Sequence, residues 1–291
     1  MAGENILVTG ATGFIGSSLM RLLARQGYQA RAYSGRMNDP LRLRQELEGI
    51  EIVYHLASAE RRGRRRLLQH VDVEGAERLV EESRRARVGQ LIVVSRLNTD
   101  PNSHYPLLRA KGEMERLIWR SELSYTIVRS ATVFGLHDRF LNVIAGLSAW
   151  TWPFVVLPGG GKTPFQPLWV EDLARCLVQI LDRPDLRGEI VEIAGEERIR
   201  FADLAQLIMR TVGMQRIPVP VDLRLLRPTN RLLMSWWPYP PVTPFFMDLF
   251  SQSDIAPVDS VLRTFGFRPN RLIDNLGYLR RPGLRRYLFR R

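Results

Sequence analysis

Residues Val8 to Gly16 read Val-Thr-Gly-Ala-Thr-Gly-Phe-Ile-Gly, and this segment restricts the fold more than any other in the 291-residue chain. The apolar run Ile6, Leu7, Val8 precedes it. Apolar residues at Ile15, Leu19, Leu22 and Leu23 follow with helical spacing. The order is strand, glycine turn, helix. Gly10 permits the tight turn, and the missing Cβ at Gly13 lets backbone approach a pyrophosphate. Gly16 lets the helix pack closely on the strand. The unpaired N–H groups and the positive end of the helix dipole then face the phosphates. Three glycines alone also suit a purely structural turn. Their place after a strand and before a helix selects a dinucleotide site, with Gly10, Thr12, Gly13, Phe14, Ile15 and Gly16 on its phosphate side.

The alternation continues downstream. The pattern predicts a helix over 14–26 and a strand over 29–33. Asp39-Pro40 opens a helix running to Glu48, and a strand follows over 51–56. Then come a helix over 71–86, a strand from Gln90 to Val94, a helix over 107–121 and a strand over 124–128. Strands and helices in this order imply an α/β fold with a doubly wound parallel sheet of Rossmann type. After Gly135 the alternation fades. A hairpin tip is predicted at Pro158-Gly-Gly-Gly-Lys162, with a strand over 189–193 and a helix over 201–212 beyond it. The expected domains are a nucleotide-binding unit over 1–135, to which 165–182 return, and a smaller mixed α/β lobe built from 136–164 and 183–291.

Four stretches together resemble the atypical and extended short-chain dehydrogenase/reductase superfamily, over about residues 5 to 195. They are the Gly-x-x-Gly-x-x-Gly turn, Val53-Tyr54-His55-Leu56-Ala57, Ile127 to Gly135, and Trp169-Val170-Glu171-Asp172-Leu173-Ala174. The resemblance implies that Leu56 and Ala57 lie beside the adenosine, and that Ser95 and Lys111 line the nicotinamide side. Members usually carry one more short helix and strand before the Asp-Pro helix. Here Arg36 reaches Asp39-Pro40 almost directly, so a trimmed sheet edge is expected.

Strand 2 ends in Tyr33-Ser34-Gly35-Arg36, without the acid that would accept bonds from an adenosine ribose. A hydroxyl and a guanidinium suit a 2′-phosphate, so Ser34 and Arg36 favour NADP(H), with NAD(H) as the alternative. Arg31 is a further cation that could reach over, and a merely exposed Arg36 is the structural alternative.

The superfamily's chemistry needs a tyrosine four residues before a lysine on one helix. The lysine lowers the phenol pKa, and the phenolate exchanges a proton with substrate. Lys111 fits the lysine place, in Arg109-Ala110-Lys111-Gly112-Glu113, but Leu107 stands four before it. Tyr105 stands six before, about 240° round a helix, with Pro106 opening that helix behind it. Arg96 and Leu97 follow Ser95 where active members carry a hydroxyl or small residue. These departures argue against ordinary turnover, and leave a residual role for Lys111. An active oxidoreductase or epimerase, on a carbonyl or sugar-nucleotide substrate, would have to recruit Tyr105 or Tyr125.

Lys111 without its tyrosine, the Leu157–Pro167 segment before Trp169, and the C-terminal arrangement resemble the branch that holds the complex I accessory subunit, alpha subcomplex subunit 9. The resemblance implies a non-catalytic accessory subunit or assembly factor of a membrane-associated electron-transfer complex. Composition fits such a setting without showing it. The net charge is +12, and 40 of the 42 basic residues are arginines. Arginines cluster at Arg61, Arg62, Arg64, Arg65 and Arg66, and nine lie between Arg263 and Arg291 against one acid, Asp274. Solvated faces explain such runs. So does docking on protein subunits of a complex or on an anionic membrane surface. No nucleic-acid-binding signature is present. Trp236, Trp237, Phe245 and Phe246, flanked by Arg224, Arg227 and Arg231, are the aromatic anchors such docking would use, or else core. The four histidines lack metal spacing, and the single cysteine, Cys176, falls in an apolar helical pattern. The chain has no apolar run of membrane-spanning length and no secretory pattern at its start, so a cytoplasmic protein, peripheral at the inner face of a membrane, is expected.

Overall fold

The computed structural model describes residues 5–234 and 242–281. Two compact units divide the chain: Met1–Ser130 with Val170–Ile193, and Ala131–Trp169 with Ala194–Arg291.

In the first unit, β1 (Ile6–Thr9), β2 (Ala30–Ala32), β3 (Ile52–His55), β4 (Gln90–Arg96), β5 (Tyr125–Ser130) and β10 (Glu189–Ile193) form one parallel sheet, in the order β10-β5-β4-β3-β1-β2. Strands β1 and β3 are buried throughout, as a parallel sheet covered on both faces requires. On one face lie α2 (Pro40–Leu47), α4 (Glu74–Arg85) and α5 (Pro106–Trp119). Leu43, Leu47, Leu79, Met114 and Ile118 from these helices pack with Leu7, Val53, Leu91 and Ile127 of the strands. On the other face α1 (Phe14–Arg25) packs with α7 (Val170–Gln179), where Glu171 accepts bonds from Ser18 (3.2 Å) and Arg21 (2.9 Å). Strand β2 is three residues long and forms the sheet edge, as expected from the short stretch between Arg36 and Asp39.

The helix expected over 71–86 begins earlier. A short helix α3 (Arg65–Leu68) runs into a π turn at Gln69–Val73 before α4. Its exposed face carries Arg65 and Arg66 and its buried face Leu68, so the arginine cluster hid a single helical turn. Domain boundaries also differ from expectation. Residues 183–193 belong to the first unit because β10 pairs with β5, while 131–135 and 165–169, the latter expected to return to the first unit, belong to the second.

Among the described residues, the second unit holds three two-stranded ribbons. β6 (Val133–Phe134) pairs with β9 (Leu168–Trp169), β7 (Phe154–Pro158) with β12 (Ile217–Val221), and β8 (Pro164–Phe165) with β11 (Ile199–Arg200). Residues 158–162 are therefore no hairpin tip. They form a turn between β7 and β8, which pair with different strands. Gly161 there approaches Ala202 so closely that a Cβ would sit 2.8 Å from the Ala202 Cβ. Helices α6 (Leu141–Trp150) and α8 (Phe201–Thr211) both face the core, where Phe140, Phe165, Phe201 and Phe250 stand ring against ring at 4.6 to 6.5 Å. The sequence did not announce β12 and the helix after it, α9 (Leu223–Met234). Pro218 and Pro220 in the strand and Pro228 in the helix mask both patterns. Helices α10 (Pro244–Asp248) and α11 (Ser260–Phe265) follow, and a 3-10 segment at Ile273–Arg280 adds Leu276 and Leu279 to the core. Phe245 is 1 % exposed and half-buried Phe246 packs against the core that α6 and α8 share, so neither stands out as an exposed docking anchor. Trp236, Trp237 and residues 282–291 lie outside the described residues.

Candidate functional site

Each glycine of the opening turn has its own steric reason. Gly10 sits at φ +72°, and a Cβ there would lie 2.7 Å from the Ala57 nitrogen and the Leu56 carbonyl carbon. The chain at the end of β3 thus crosses directly over it. At Gly16 a Cβ would lie 2.2 Å from the Gly10 oxygen, so only glycine lets α1 start this close to the turn. Gly13 is different. A Cβ there would meet only the Gly10 oxygen, at 3.0 Å, and the position is otherwise open. Gly13 is also the N-cap of α1, and no side chain among the described residues caps that end. An uncapped helix start behind an open glycine fits a diphosphate, whose oxygens would accept from the first-turn N–H groups and favour the dipole's positive end. Thr12 is exposed at the turn, and Phe14 and Ile15 are half-buried.

At the sheet edge, Ser34 and Arg36 are both exposed. The Tyr33 hydroxyl donates to the Arg36 carbonyl (3.0 Å), and burial together with Asp39 pushes its pKa up to about 12, so it stays a donor. A cation missed in the sequence joins them. Arg42, in the first turn of α2, donates from Nη2 to the Ser34 hydroxyl at 2.7 Å. Its place follows from Asp39, whose carboxylate caps α2 by accepting from the Arg42 N–H (3.1 Å). Arg31 is exposed on β2.

Deeper in the sheet, the Thr9 hydroxyl and His55 Nδ1 lie 2.8 Å apart at the ends of β1 and β3. His55 is buried, its Nε2 has no partner among the described residues, and burial and then the nearby Lys111 charge lower its pKa to about 4. Lys111 itself is 5 % exposed, and its Nζ lies 2.9 Å from Oδ1 of the fully buried Asp72. The pair is ionic by distance, though its angles fall short of a hydrogen bond. The other oxygen of Asp72 accepts from the Ala59 N–H at 2.8 Å. Asp72 was not singled out in the sequence. It reaches Lys111 from the π turn, a rearrangement that no local spacing encodes. Helix α5 is fixed in rotation by Glu115, one turn beyond Lys111, which accepts from Thr99 (2.8 Å) and Arg129 (2.6 Å).

The tyrosine place is filled by Leu107, which is 1 % exposed. Tyr105 is the N-cap of α5, outside the helix, as Pro106 at its first position dictates. Tyr125 opens β5 and lies opposite Leu91, near the start of β4. In a parallel sheet that is the edge away from Thr9, His55 and Ser95, which end or nearly end their strands. Ser95 is buried with its Oγ unpaired among the described residues, while Arg96 beside it forms an ion pair with Glu60 at 3.2 Å and Leu97 is buried.

Residues 6–194 match the NAD dependent epimerase/dehydratase family. The chain is 26 % identical over 262 residues to the mitochondrial NADH-ubiquinone oxidoreductase 40 kDa subunit of Neurospora crassa, covering 82 % of this chain and 68 % of that one. It is 26 % identical to mitochondrial NADH dehydrogenase [ubiquinone] 1 alpha subcomplex subunit 9 of Mus musculus, over 99 % of this chain and 83 % of the mouse protein. Among solved structures, the dTDP-glucose 4,6-dehydratase DesIV of Streptomyces venezuelae, with NAD and TYD bound, superposes with a TM-score of 0.74. It is 18 % identical, over 95 % of this chain and 96 % of that one, which shows the shared fold. No described helix is long and apolar enough to cross a membrane.

Proposed function

Since the chain belongs to the NAD dependent epimerase/dehydratase family, we propose that it holds an adenine dinucleotide as a non-catalytic accessory or assembly protein of a membrane-associated electron-transfer complex. NADP(H) is the favoured ligand and NAD(H) the alternative. The uncapped start of α1 behind Gly13 takes the diphosphate, with Leu56 and Ala57 beside the adenosine. Ser34, Arg36 and Arg42 face the 2′-phosphate, and Ser95 and Lys111 the nicotinamide side. The relatives that are respiratory-complex subunits support the setting, and a peripheral position on the inner, cytoplasmic face of a membrane fits it.

The observation that carries the non-catalytic part is Leu107. An aliphatic side chain fills the place from which a phenol would act, and the lysine that would lower that phenol's pKa is held by Asp72 instead. The second reading, an active oxidoreductase or epimerase, draws on the retained Lys111 and the nearby position of Tyr105 in sequence. Nicotinamide turnover measured with carbonyl and sugar-nucleotide substrates separates them. The accessory reading expects retained nucleotide without turnover, unchanged by Tyr105→Phe. Turnover abolished by both Lys111→Ala and Tyr105→Phe establishes the enzyme instead.

A further inference from the structure

We propose that the β7–β12 ribbon and the turn leading into it form a docking face for a bilayer containing anionic phospholipid. The proposal supplies a contact face for the membrane setting proposed above, rests on that part of the reading, and makes no use of the nucleotide.

Four large apolar side chains of the second unit are turned outward here: Trp150 is 59 % exposed, Trp152 73 %, Phe154 46 % and Ile217 57 %. Scattered surface hydrophobics need no explanation, but these are joined by structure. Phe154 and Ile217 lie directly opposite in the ribbon, and Val156 opposite Val219. Along β7 the intervening Val155 and Leu157 are buried, so strand alternation puts Phe154 and Val156 on the outer face. Trp150 and Trp152 flank Thr151, which fastens the turn. Its carbonyl accepts from the Phe154 N–H (2.7 Å), and its hydroxyl donates to the Phe154 carbonyl (2.7 Å). The Ile217 N–H donates to the Pro153 carbonyl at 2.9 Å, tying β12 to the same turn. The aromatic side chains therefore stand on a fixed backbone, and little chain ordering is needed to present them.

Charge points to the partner. No acid lies between Arg139 and Val170. Arg210, Arg216 and Arg224 precede or follow β12 in the chain, and the one acid among them, Asp222, has its carboxylate engaged by the Arg224 N–H at 2.7 Å; Arg227, further along, is instead paired with Asp248 at 3.5 Å. Helix α9 continues from β12 and exposes Leu225 (65 %) and Leu232 (74 %), seven residues apart on one face. Tryptophan beside arginine, over an apolar surface, is the composition of an interfacial anchor. The rings sit at headgroup depth and the guanidinium groups meet lipid phosphates. A partner that adds a strand is disfavoured, because Pro218 and Pro220 remove N–H donors from β12.

Co-sedimentation of the full chain with vesicles tests this. Vesicles of phosphatidylglycerol and phosphatidylcholine in equal parts should bind the protein, less so as salt rises, while phosphatidylcholine alone should bind it weakly. The double variant Trp152→Ser with Phe154→Ser should lose on the order of tenfold or more in vesicle affinity. Trp119→Ser, at a 62 % exposed tryptophan of α5, should lose nothing. Arg210→Ser with Arg224→Ser should weaken binding to the anionic vesicles only. Far-ultraviolet circular dichroism checks that each variant is folded. A double variant that sediments like the parent overturns the proposal. So does a parent chain that ignores protein-free vesicles, which would make the face a protein interface, or one that binds both vesicles equally. Nucleotide content is read on the same samples. Protein that carries nucleotide but ignores vesicles overturns the docking face alone. Protein that binds vesicles but neither carries an adenine dinucleotide nor takes one up when it is added overturns the nucleotide reading alone.

Discussion

At the scale of single residues, the pair Lys111–Asp72 is the most consequential contact. Both side chains are buried, and each is tolerable there because of the other. Asp72→Leu should strand the ammonium and cost about 3–5 kcal/mol in urea unfolding, whereas Asp72→Leu combined with Lys111→Met should restore most of that. Equal losses in the single and double variants would show that the charges are not coupled. His55, beside this pair, gives the fold a pH dependence with a defined sign. Its pKa falls from 6.5 to about 4 on folding, so the unfolded chain binds the proton more tightly. Its contribution is complete above about pH 6.5, is lost as pH falls toward 4, and amounts to roughly 3 kcal/mol. His55→Gln should flatten the stability profile in that window. Lys111 and its missing tyrosine were legible because i and i+4 on one helix is a local relation. Asp72 was not, since 39 positions separate it from Lys111 and only the π turn and the sheet bring the two together.

At the scale of elements, the turn between β1 and α1 was legible almost residue by residue, because glycine is demanded there by sterics that any strand–helix turn of this kind shares. The three glycines should nevertheless respond differently. Gly16→Ala puts a Cβ 2.2 Å from the Gly10 oxygen, so backbone must move, and both stability and nucleotide should be lost, the former by about 1–3 kcal/mol. Gly13→Ala meets only one oxygen at 3.0 Å, so thermal stability without ligand should change by less than about 1 kcal/mol while nucleotide retention falls. A Gly13→Ala protein with full nucleotide content would contradict the placement of the diphosphate. Beside β2, Arg42→Ala and Arg36→Ala should each reduce the preference for NADP(H) over NAD(H) by about tenfold, read from titrations with both nucleotides. Arg36 could be found from its place after the strand. Arg42 could not, because its approach to Ser34 depends on how Asp39 starts the following helix.

At the scale of the whole molecule, the parallel sheet was legible from β–α alternation, while in the second unit the helix expected over 201–212 was legible, as α8, and the ribbons were not, since those among the described residues use strands as short as two residues with prolines among them. The expected boundary at 182 failed for a related reason: β10 pairs back to β5 across some sixty residues of intervening chain, which no local pattern reports. Charge is likewise a property of the whole. Forty arginines are too many to assign by position, and much of the cluster at 61–66 proves to be exposed surface. What unites the molecule functionally is the proposed retention of a dinucleotide at an uncapped helix start without the phenol needed to use it. Mass spectrometry of small molecules released by denaturing the purified protein tests this most directly. The account predicts one adenine dinucleotide per chain, NADP(H) in preference to NAD(H), and its loss from the Gly16→Ala variant. A fully folded parent protein that releases no adenine dinucleotide, and binds none when it is added, would contradict it.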